Sequence, residues 1–149
     1  IGATLVADKL AQVLDFGSHG TTFGGNPLAA AVARAALRKL TSPAIHDNVI
    51  ARAKQLRDGL AALNTQLGGV FTGLRGHGLL LGAILAEPWR PRIGAILDAA
   101  AANGLLMLQA GPEVVRFVPP LVITQAEMDE GLSRLHRAFA SLPPETDQS

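Results

Sequence analysis

The chain has 149 residues, enough for one domain with its own core, and a formal net charge of +1 from 13 basic and 12 acidic side chains. That balance leaves out the basic stripe of a nucleic-acid binder and the charge block of an acidic tail. Cysteine is absent, which excludes a disulfide framework, a thiolate nucleophile and cysteine-ligated zinc, and suits a cytoplasmic protein.

In chain order, "IGATLV" (1–6) reads as a short apolar strand and 7–14 as a helical or turn segment. The start lacks an initiating methionine and a signal peptide's basic region, and opening inside an apolar strand is expected of part of a longer chain. A loop over 15–26 follows, with Ser18, His19, Thr21 and Thr22 among its glycines. Asn26 then Pro27 predicts a helix start, because Asn accepts from a free N–H and proline lacks one where none is needed. Leu28, Val32, Ala36 and Leu40 line one face of that helix. Thr41-Ser42-Pro43 ends it and opens a second, whose stripe runs Ile45, Val49, Ala53, Leu56, Leu60, Leu63 and Leu67 up to Gly68-Gly69.

"VFTGLRG" and "GLLLGAILA" then predict two strands joined by a glycine turn at Gly76–Gly78. The second run is about half the length of a membrane span. A helix is expected from about Pro91 to Asn103, carrying Ile93, Ile96, Leu97 and Ala100, with Gly104 as its stop. "LLMLQ" and "VVRFV" read as short strands around Gly111-Pro112, and Pro119-Pro120 breaks the second. Thr124 and Glu127 form a capping box opening a last helix with Met128, Leu132, Leu135 and Phe139 inward. The texture is α+β: helices on one face of a small, mostly antiparallel sheet.

Two places carry chemistry. The glycine loop running into a helix offers free N–H groups and hydroxyls to a phosphate, although it has neither the lysine nor the spacing of a P-loop. An ordinary glycine turn with an Asn cap is the plainer alternative. Arg116 lies between Val115 and Phe117 in a strand that otherwise reads as buried, where a guanidinium needs an anion. Its partner is a structural carboxylate or a substrate carboxylate held bidentately, unless Arg116 simply points outward from an edge strand. "GLRGHGLLLG" reads as a hairpin turn rather than a nucleotide fingerprint. His19, His46, His77 and His136 lack metal-binding spacing, so no metal is expected.

"HGTTFGGNPLA" (19–29), "RGHGLLLG" (75–82) and "GLLMLQAGPEVVRFVPPLVIT" (104–124), in this order and separation, resemble the C-terminal part of class-III pyridoxal-phosphate aminotransferases. Within that class they are most similar to the acetylornithine and succinylornithine aminotransferases, enzymes of arginine metabolism. The resemblance implies the small C-terminal domain of the fold-type-I transferase fold, which the family counts as α/β. Residues 1–26 would end the large cofactor-binding domain, 27–142 would form the connecting helix and small domain, and 143–149 a tail.

The resemblance also implies roles. Thr22 would bind the phosphate of pyridoxal 5′-phosphate held by the other subunit of a homodimer with shared active sites. Thr21 would touch substrate. Arg116 would receive a carboxylate of the amino acid or 2-oxo acid, or pair with a glutamate in the other half-reaction. Gly25, Asn26 and Pro27 would be structural. The lysine that forms the Schiff base in this family lies upstream of the matched stretch, and Lys9, Lys39 and Lys54 do not match it. No catalytic residue is therefore assigned, the chain alone is expected to be inactive, and its hold on the cofactor weak or absent. The implied reaction moves an amino group from N2-acetylornithine or succinylornithine to 2-oxoglutarate, without nucleic acid or membrane. The alternatives are another ω-aminotransferase, acting on ornithine, 4-aminobutyrate or a diamine, or a truncated, non-catalytic assembly domain.

Overall fold

The computed structural model describes residues 1–13, 17 and 20–142. By contact the chain divides into two compact units, Ile1–Ser42 and Pro43–Ser149.

The first unit holds α1 (Asp8–Ala11) and α2 (Pro27–Leu40). The strand expected over residues 1–6 does not form. A strand is stable only when a neighbour takes up its N–H and C=O groups, and the described residues of the first unit include no strand to pair with. α2 starts as its sequence dictates. Asn26 Oδ1 accepts from Ala29 N at 2.9 Å, Asn26 Nδ2 donates to Phe23 O at 2.8 Å, and Pro27 takes the first helical position. At the other end Thr41 Oγ1 donates to Leu37 O. Neither helix buries a residue: Leu28, Val32, Leu37 and Leu40 are all exposed.

The second unit begins with α3 (Pro43–Gln66). Gly68 and Gly69, both at positive φ, close it: Gly69 N reaches Asn64 O at 2.9 Å, which only residues free of a Cβ penalty do cheaply. Then come β1 (Phe71–His77), β2 (Leu80–Leu85), a 3-10 segment (Glu87–Arg92), α4 (Ile93–Ala102), β3 (Leu108–Gln109), β4 (Val114–Phe117) and α5 (Gln125–Ala140). The hairpin turn lies at Gly78-Leu79, slightly beyond the expected position, with Gly78 at φ 53. α4 begins later than expected because Pro88 and Pro91 keep the preceding residues in the tighter 3-10 form.

The sheet is wholly antiparallel in the order β1-β2-β4-β3. Residues directly paired across an antiparallel ladder share a face. Leu81 opposite Phe117 and Ala83 opposite Val115 thus define one face, and all four are buried. That face meets Leu56, Leu60 and Leu63 of α3, Ile93 and Ile96 of α4, and Met128, Leu135 and Phe139 of α5 in one core. Phe139 is packed edge-on by Phe71 at 5.6 Å and by Trp89 at 5.4 Å. The α+β reading, helices over a small antiparallel sheet, therefore holds.

β1 is an edge strand, and Arg57 of α3 donates from Nη2 to the carbonyl of Gly76 within it at 2.7 Å. Asn48 of α3 donates to Leu121 O at 2.8 Å and Ile123 O at 3.1 Å, fixing the segment that leaves β4 through the two prolines. Thr124 and Glu127 form the expected capping box at the head of α5.

Candidate functional site

The residues singled out from the sequence fall in different units, Thr21 and Thr22 in the first and Arg116 in the second. Ser18, His19 and residues 143–149 lie outside the described residues.

Thr21 and Thr22 occupy an exposed turn just before α2. Gly24 N donates to Thr21 O at 3.3 Å, and Gly25 takes φ 67 to lead the chain into Asn26. A Cβ on Gly24 would meet Thr21 Oγ1 at 2.5 Å, so the turn closes this tightly only with glycine there. The structure refines one expectation. The head of α2 does not stand open as a row of free donors, because Asn26 Oδ1 already caps Ala29 N. What remains for an anion is the turn itself and the Thr22 hydroxyl, which has no partner among the described residues. This donor set fits the phosphate end of a phosphorylated cofactor. It supplies nothing for the aldehyde end. Of the lysines, Lys54 is tied to Asp58 in an exposed ion pair, and Lys9 and Lys39 are exposed at helix ends.

Arg116 is placed by the sheet. β4 lies between β2 and β3, so Arg116 is not on an edge strand, and that alternative is removed. Its backbone pairs with Gly82 on one side and Leu108 on the other. Its side chain is half-buried, and its Nε–H, shielded from solvent, donates to no described residue. The neighbouring carboxylate, Glu113, is taken by Arg90, whose Nε lies 3.1 Å from its Oε2. A structural carboxylate is thus not the partner of Arg116 among the described residues. A guanidinium with a desolvated, unpaired N–H is poised for an anion supplied from elsewhere.

Sequence reasoning gave no role to Arg75 or Gly82. They belong to the two strands of the expected hairpin, and Arg75 pairs with Gly82 just as Gly82 pairs with Arg116. The row Arg75–Gly82–Arg116–Leu108 crosses all four strands on the face opposite the core. Only strand register reveals it. The available signal was the alternation of β1, which puts Leu74 against the core and Arg75 on the far face.

Residues 1–139 match the aminotransferase class-III family, and the chain belongs to that family. It is 60% identical over 141 residues to the acetylornithine aminotransferase of Xanthomonas campestris pv. campestris, covering 95% of this chain and 34% of that protein. The crystal structure of N-acetylornithine aminotransferase from Stenotrophomonas maltophilia K279a aligns with a TM-score of 0.74 at 58% identity, covering 79% of this chain and 32% of that one. The ornithine aminotransferase of Toxoplasma gondii, with partial occupancy of PLP at its active site, aligns at 0.74 and 34% identity, covering 86% and 30%. The chain spans about one third of the length of the relatives it matches. Among the described residues no helix is long and apolar enough to cross a membrane, and no cluster could hold a metal ion.

Proposed function

We propose that this chain is the C-terminal part of a cytoplasmic class-III aminotransferase that moves an amino group from N2-acetylornithine or succinylornithine to 2-oxoglutarate. Similarity to acetylornithine aminotransferases supports the choice of donor. Residues 1–26 would complete a large cofactor-binding domain, and residues 27–142 would supply the connecting helix and small domain. The observation that carries the site reading is the shielded, unpaired Nε–H of Arg116 on an interior strand.

Pyridoxal 5′-phosphate, when bound, would supply the electron sink that makes the proton on the amine-bearing carbon of the substrate removable. This chain's residues would bind and orient. Thr22 would donate its hydroxyl to the cofactor phosphate, across the interface of a homodimer with shared sites. Thr21 would line the substrate side of the same turn. Arg116 would hold a substrate carboxylate through two parallel N–H donors, which fixes the substrate's direction as well as its position. The group that would anchor the cofactor's aldehyde would come from outside this stretch. The 149 residues alone would therefore be silent and would hold the cofactor weakly if at all.

The test is a protein extended through the upstream coding sequence and loaded with pyridoxal phosphate. N2-acetylornithine, ornithine and 4-aminobutyrate would each be offered with 2-oxoglutarate, and glutamate measured. Preference for N2-acetylornithine is the expected result. Preference for ornithine or 4-aminobutyrate would make it a different ω-aminotransferase. No glutamate from any donor would favour a non-catalytic assembly domain.

A further inference from the structure

We propose that Arg75 is a second carboxylate-binding residue, acting with Arg116 across Gly82 to hold the substrate acid; the inference rests on the reading of Arg116 given above. Arg75 and Arg116 stand on β1 and β4, each paired to the same residue of β2 between them. Two strand spacings separate their backbones, roughly 10 Å, within reach of two long side chains leaning toward one ligand.

The lean is visible for Arg75. A Cβ built on Gly82 would lie 3.6 Å from Arg75 Cγ and 3.9 Å from its Nε, so the stem of Arg75 lies against the Gly82 position. The same Cβ would lie 2.7 Å from Val114 Cγ1. Any side chain at position 82 would press on Val114 and stand between the two arginines, and glycine puts none there.

The charge on this face is one-sided. Pairing places Gly73, Arg75 and His77 of β1, Leu80, Gly82 and Ile84 of β2, Val114 and Arg116 of β4, and Leu108 of β3 together. None of them is acidic. Arg75 is exposed, and neither it nor Arg116 has a hydrogen bond or ion pair with a described residue. Two guanidiniums in one row, with no carboxylate on their face and no side chain on the residue paired between them, form a receptor for an anion with several acceptor oxygens. A 2-oxo dicarboxylate meets that description, and Arg75 would strengthen its capture by the arginine already assigned.

The 15N-labelled chain, titrated with 2-oxoglutarate at constant ionic strength, provides the test through arginine side-chain Nε–H signals. The Arg75 and Arg116 signals should move along one binding curve. In Arg75→Gln the Arg116 midpoint should rise about fivefold, the weakening expected on losing one exposed charge pair. Arg75→Lys, which keeps the charge but loses the fork, should fall between. Arg75 is exposed, so backbone amide spectra should show both variants folded. An Arg116 curve unchanged in Arg75→Gln would overturn the role of Arg75 and leave Arg116 standing. Silence of both arginines would overturn the two together.

Discussion

Asn64 holds Phe71 by both ends of its side-chain amide. Its Oδ1 accepts from Phe71 N at 2.7 Å, and its Nδ2 donates to Phe71 O at 3.0 Å. The last turn of α3 thereby serves as a strand partner for the first residue of β1, beside the ladder's irregularity between Phe71 and Gly73. Asn64→Ala removes both bonds and leaves two half-buried backbone groups unpaired, which should cost about 2 kcal/mol. Urea unfolding followed by the fluorescence of Trp89, which packs on Phe139 in the same core, would measure it.

The two glycines around the hairpin should differ sharply. Gly76 sits at φ 114, and a Cβ there would lie 2.1 Å from Leu80 O, in fixed backbone. Gly78 sits at φ 53, where its Cβ would meet only Val49 Cγ1 at 3.4 Å. Gly76→Ala should therefore destabilise by about 3–4 kcal/mol, and Gly78→Ala by about 1 kcal/mol, the cost of a left-handed residue. Equal urea midpoints for the two variants would contradict this geometry.

The capping box should impose a pH dependence. Glu127 Oε2 accepts from Thr124 N and from Thr124 Oγ1, both at 2.8 Å. The backbone bond first, and the hydroxyl bond second, hold its carboxyl below the ordinary glutamate value. A carboxyl depressed in the folded state stabilises above its unfolded pKa and loses that contribution as the pH falls through the folded one. Glu127→Gln mimics the protonated acid. Thermal unfolding should show the native chain ahead of the variant at neutral pH, with the gap closing below the ordinary carboxylate range. A gap that widens on acidification would refute the assignment.

For the extended, cofactor-loaded protein the two candidate contacts should separate in kinetics. Thr22→Val, losing one donor to phosphate, should weaken retention of pyridoxal phosphate about tenfold. Arg116→Lys should raise KM for 2-oxoglutarate with little change in cofactor binding, because an ammonium cannot copy the bidentate fork. Cofactor retention measured by equilibrium dialysis, beside steady-state kinetics, would check both.

Local chemistry was legible in the sequence wherever one short segment decides it. Asn26 and Pro27, Gly68-Gly69 and Thr124/Glu127 all cap helices as their residue types predict, and the Leu56, Leu60, Leu63 stripe is core. Features that depend on a distant partner were not. Residues 1–6 have strand composition but no strand to pair with among the described residues of their unit. Arg116 could have been an edge residue until the order β1-β2-β4-β3 set a strand on either side of it. Asn64's bonds to Phe71 and the alignment of Arg75 with Arg116 arise from register and turn geometry, which spacing along the chain does not encode.

The bond from Arg57 to the Gly76 carbonyl reaches beyond the packing of α3. An edge strand of seven residues is a template on which a foreign strand could add, the first step toward filaments. Here one of its carbonyls is answered by a side chain of the same molecule, the irregularity after Phe71 bends the ladder, and Arg75 sets a charge on the rim. The edge thus carries its own guards against recruitment.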